Sequence, residues 1–61
     1  MNKEHYIRLN DYKSIIVQED DEGLVLSIHV PGGHLLVILK KDEALNLLGA
    51  INDIANSFEE N

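Results

Sequence analysis

The sequence predicts an α+β fold: a three-stranded antiparallel β-meander, four-stranded if the first dozen residues add a strand, with one C-terminal amphipathic helix packed on one face. Three observations carry this reading. Short turn signals punctuate the apolar runs of residues 13–40, residues 24–30 alternate with period two, and the apolar residues of 42–58 recur at helical spacing.

Each element has a local cause. Residues 13–19 hold three consecutive β-branched residues, Ile15, Ile16 and Val17, which favour a strand. They run into Asp20, Asp21, Glu22 and Gly23, a set of turn formers ending in a glycine that tolerates φ > 0. Leu24, Leu26, Ile28 and Val30 then alternate with Val25, Ser27 and His29, the pattern of a strand with one buried face. Pro31, Gly32 and Gly33 combine a fixed φ with two permissive residues and predict a tight turn into the next strand. That strand, residues 34–40, is apolar without a break from Leu35 through Leu36, Val37 and Ile38 to Leu39, which predicts burial on both faces. Asp42 is placed to act as helix N-cap, with Glu43 adding favourable charge at the positive end of the dipole. Ala44, Leu47, Leu48, Ile51, Ile54, Ala55 and Phe58 form the apolar stripe of a helix over residues 42–58. Gly49, on the opposite side, is either a close approach for another backbone or a tolerated defect. Residues 1–12 are either a short strand, with Ile7 and Leu9 alternating against Tyr6 and Arg8, or an arm reaching a neighbouring subunit.

Composition bounds the function. The chain has 61 residues, 11 Asp and Glu against 5 Lys and Arg, a net charge of -6, and no cysteine. This is one small acidic domain over 1–61. A chain of that length buries only about 60% of its unfolded surface, so small domains often need an extra source of stability. A disulfide is excluded here. No apolar run approaches the roughly 20 residues of a membrane span, and residues 1–5 lack the apolar segment of a signal peptide, so the expectation is a cytoplasmic protein without membrane contact. The negative charge opposes general binding to a phosphate backbone.

The chemistry-bearing residues are few. Glu19, Asp20, Asp21 and Glu22 line up four carboxylates, but without the alternate spacing of a calcium loop; docking on a basic protein surface suits them better than a metal does. His29 and His34 flank the Pro-Gly-Gly turn and face the same way only if the loop is two residues long. No cysteine completes a zinc set and His5 is remote, so neither a metal nor any other cofactor is expected. Ser14, Ser27 and Ser57 belong to no nucleophile motif, and no glycine pattern matches a phosphate-binding loop, which argues against an enzyme. Arg8, Lys13, Lys40 and Lys41 are the residues a nucleic-acid contact would use, although two lysines after an apolar strand also act as guards against edge aggregation.

The apolar run at residues 35–39 is the most informative feature. One helix covers one face of a sheet, so a homodimer using Leu35, Val37 and Leu39 is expected, either packing through the other face or continuing the sheet across a two-fold axis, unless the N-terminal segment folds back over that face. The stretch Asp21, Glu22, Gly23, Leu24, Val25, Leu26, Ser27, Ile28 leading to Pro31 and Gly32, followed by Asp42, Glu43, Ala44 and Leu45 opening the helix, resembles the HicB-type antitoxins over residues 15–58. Their partial RNase-H-like module usually has a polar, irregular link before the helix, where this chain has its apolar run. The resemblance implies a dimer that occludes a toxin. The functional expectation is a non-enzymatic, acidic homodimer that binds a protein partner and modulates or inhibits it, as antitoxins and phage-encoded inhibitors do. The alternative is a small dimeric nucleic-acid-binding regulator.

Overall fold

Five elements follow one another in a computed structural model that describes residues 2–59: β1 (Glu4–Arg8), β2 (Ser14–Glu19), β3 (Gly23–Val30), β4 (Gly33–Lys40) and α1 (Lys41–Glu59). The strands pair antiparallel in the order β1-β2-β3-β4, so each lies beside its neighbour in sequence. The fold is therefore α+β, a four-stranded meander with one C-terminal helix. Residues 4–8 form an edge strand and not a detached arm, with Ile7 opposite Ile15 and His5 opposite Val17.

The turns explain the register. Asn10 closes the first, its Oδ1 accepting from the backbone N–H of Tyr12 at 2.8 Å and of Lys13 at 2.9 Å. Asp20 closes the second in the same way, accepting from Glu22 N–H at 2.9 Å and Gly23 N–H at 2.8 Å. Both are Asx turns, in which a short carboxylate or amide replaces a backbone acceptor. The third turn needs a glycine for its dihedral angle: Gly32 has φ of 90°, and with Pro31 before it this is the combination of a type II turn. Gly23, although able to take φ > 0, does not use it; Gly32 alone has a positive φ among the described residues. Gly23 is required for proximity instead, because it lies opposite Lys40.

β4 passes into α1 with no intervening loop. The helix begins one residue before Asp42, so Asp42 is not the N-cap; it occupies the first turn. Glu43 reaches back to accept from Lys40 N–H at 2.9 Å, one half of a capping box with Lys40 as the cap residue. With 19 residues the helix runs to about five turns. It lies against β3 and β4 and does not reach β1 or β2.

Directly opposite residues share a face of the sheet. The pairings put Ile7, Ile15, Val17, Leu24, Leu26, Ile28, Leu35, Val37 and Leu39 on the helix side. Tyr6, Arg8, Ile16, Val25, Ser27, His29, His34, Leu36, Ile38 and Lys40 occupy the other. β4 departs from its expected burial. It is an edge strand on which the helix half-buries Val37 and Leu39, while Leu35 on the same side is 59% exposed and Leu36 and Ile38 on the other side are 55% and 68% exposed. The N-terminal segment does not shield it, since β1 sits at the far edge. Among the described residues no hydrophobic side chain is buried, and the one buried residue is Ser27. No helix of the described residues is long and apolar enough to cross a membrane.

Candidate functional site

Two surfaces stand out, one charged and one apolar. The charged one is the β2–β3 turn. Two of its four carboxylates serve the fold: Asp20 closes the turn, and Glu19 Oε1 accepts from Lys3 N–H at 3.0 Å while Glu19 N–H donates to the Lys3 carbonyl at 2.8 Å. The other two, Asp21 and Glu22, are exposed at the tip, and neither carboxylate engages another described residue. The turn thus presents two carboxylates from a backbone that side-chain bonds hold in place. Lys41 borders the same shallow depression as Glu19 and Asp20, while Asp21 and Glu22 lie outside its lining.

The apolar surface is a groove of about 370 Å³ between the helix and the sheet. Its floor is Ile7, Ile15, Val17, Leu24 and Leu26, all on the helix-facing side of strands β1 to β3. Its wall is Ala44, Leu47, Leu48 and Ile51 from the first half of α1. The groove exists because the helix, launched directly from β4, stands over the β3–β4 side and leaves the β1–β2 side uncovered. Ile54 and Phe58 continue the same helical stripe beyond the groove and are 56% and 72% exposed.

The expected interface residues Leu35, Val37 and Leu39 lie on this helix-facing side. Leu36 and Ile38 supply the apolar character of the opposite side. The residues missed by the sequence reading are the groove floor on β1 and β2. Their signal was present in the alternation of Ile15 and Val17 with Ile16, but it takes the strand pairing to show which alternate set joins Leu24 and Leu26.

The histidines do meet. The loop is two residues, Pro31 and Gly32, so His29 pairs with His34 and their rings stack with centroids 5.4 Å apart and an interplanar angle of 20°. No third histidine, cysteine or carboxylate joins them to form a candidate metal cluster among the described residues. The basic residues do not meet. Arg8 and Lys13 lie at the end of the sheet that carries the β1–β2 turn, where Arg8 is paired with Asp11 at 2.7 Å. Lys40 and Lys41 lie at the other end, beside Gly23 and the acidic turn.

No family model, no curated protein and no solved structure matches this chain.

Proposed function

We propose that this chain is a non-enzymatic, self-associating binding protein that docks on a protein partner and modulates or inhibits it, in the manner of small antitoxins and phage-encoded inhibitors. The observation that supports this most directly is the division of labour in the β2–β3 turn. Asp20 is committed to backbone hydrogen bonds, while Asp21 and Glu22 point outward from a fixed tip. A fixed turn backbone removes part of the ordering cost when these two carboxylates meet a basic surface, and their attraction acts over a Debye length of about 8 Å at physiological salt. The net charge of -6 adds long-range attraction of the same sign. The resemblance to HicB-type antitoxins agrees with a dimer that occludes its target.

The test is comparative capture from cells that make the protein, using the wild-type chain and a double charge reversal, Asp21→Lys with Glu22→Lys, as baits at low and high salt. The expected result is a basic protein retained by the wild type at low salt and lost by the reversal. Equal capture by both baits would remove the acidic tip from the binding surface.

A second reading has one observation in its favour. The sheet face opposite the helix carries Arg8, His29, His34 and the ring of Tyr6 toward one end, with Arg8 paired to Asp11, and Lys40 with Glu4 toward the other. A small nucleic-acid-binding regulator would use such a face, with Lys13 and Lys41 at its ends. A gel shift at low salt with single- and double-stranded probes decides it, and no retardation of either sinks it.

A further inference from the structure

We infer that the groove between helix and sheet is closed by a second copy of this chain, with Ile54 and Phe58 of each helix seated in the groove of the other across a two-fold axis. This deepens the self-association in the reading above and does not depend on the identity of the partner.

A folded monomer of 6.9 kDa is expected to expose about 4,000 Å². This chain exposes 5275 Å², an excess of about 1,300 Å² over that scaling. An interface burying that much on each side totals about 2,600 Å², within the range of obligate homodimers and above what a transient contact needs. The radius of gyration points the same way, 13.2 Å against about 10.5 Å for a closed domain of this length.

Because no hydrophobic residue among those described is buried, the missing contacts are those of the fold's own core. A core cannot wait for an occasional ligand, whereas another copy is present wherever the chain is made. The molecule also carries both halves of the contact. The groove uses the first part of the helical stripe, up to Ile51, and Ile54 and Phe58 further along lie outside it, largely exposed. A two-fold axis exchanges the halves, so each protruding pair meets the other copy's floor at Ile15, Val17 and Leu26, and the contact closes without leaving a new apolar surface. Asp42 and Asp53 lie on the far side of the helix from the stripe, so the carboxylates near the contact are Glu19 at the groove margin and Glu43 and Glu59 at the edges of the stripe, with Glu43 engaged by Lys40 N–H.

The experiment is light scattering behind size exclusion on the wild type and on Ile54→Asp and Phe58→Asp, with Leu36→Asp on the opposite face as control. The expected masses are a dimer for the wild type and the control and loss of the dimer in the other two. A wild-type monomer at every concentration, or a dimer that survives both substitutions, overturns the inference. Because the two variants can also unfold, a second measurement uses the absence of cysteine. Ala44→Cys and Phe58→Cys chains are mixed and oxidised, and the mixed disulfide is compared with that from an Ala44→Cys and Glu22→Cys mixture. Several-fold more from the first pair supports the two-fold exchange; equal or smaller yield overturns it. Neither result depends on partner capture, so a wrong partner and a wrong interface are told apart.

Discussion

Gly23 lies against the backbone of Lys40 so closely that a Cβ on Gly23 would stand 2.8 Å from the Lys40 carbonyl carbon and 2.9 Å from its Cα. These atoms belong to main chain at the junction of β4 and α1 and cannot swing aside as a flexible side chain would. Gly23→Ala should therefore destabilise the protein by about 1–3 kcal/mol, the range for overpacking against an unyielding neighbour. The midpoint of urea denaturation, compared at equal protein concentration, measures it; an unchanged midpoint would show that the junction gives way easily.

Gly49 is the opposite case. Nothing approaches within 4 Å of a Cβ built there, and it sits inside a helix. Gly49→Ala should raise stability by about 1 kcal/mol through helix propensity alone. A loss instead would place another chain's backbone beside residue 49, on the side of α1 away from the proposed contact, and would redirect the search for the interface.

The helix start gives a third test. Glu43 accepts from Lys40 N–H, and removing that acceptor in Glu43→Ala should lower stability by about 1 kcal/mol, as for other lost caps. Glu43→Gln keeps an acceptor in reach and should retain most of the effect. Thermal unfolding followed by the helical circular dichroism signal separates the two; equal losses would assign the contribution to the dipole charge instead.

His29 and His34 stack without a further ligand among the described residues. A structural zinc site takes four protein ligands, so stoichiometric zinc should leave the thermal midpoint where it is. A rise on adding zinc that is absent in His34→Ala would show that a dimer or a residue outside 2–59 completes the set.

The meander and the helix were legible because their signals are local. Alternation at Leu24, Leu26 and Ile28 and helical spacing from Ala44 to Phe58 can each be read within a single short segment. What depended on contacts across the fold was not. The face shared by His29 and His34 hinged on whether the loop held two residues or three. Gly23 looked like a turn glycine, and its cause is a strand end 17 residues further along. Asp42 had the right chemistry for an N-cap, yet Glu43 reaching back to Lys40 set the start one residue earlier. The run at residues 35–39 was read as buried on both faces because continuous apolar strands usually are; in this chain the helix half-covers Val37 and Leu39, and residues 2–59 supply nothing over Leu36 and Ile38. For the site, the acidic tip was legible as a charge run, but not that Asp20 turns inward and leaves Asp21 and Glu22 outside.

The order of the strands bears on how the chain folds. Every pairing joins neighbours in sequence, and the longest connection, between β1 and β2, spans only residues 9–13. Hairpins of this kind form in about 1–10 μs, and local contacts place a chain at the fast end of folding rates. Local steps alone yield a sheet with a helix beside it and no closed core. If a second copy supplies that core, the slow event is the meeting of two chains. Refolding after rapid dilution from urea should then show a fast phase indifferent to protein concentration and a second phase whose rate falls in proportion as the protein is diluted.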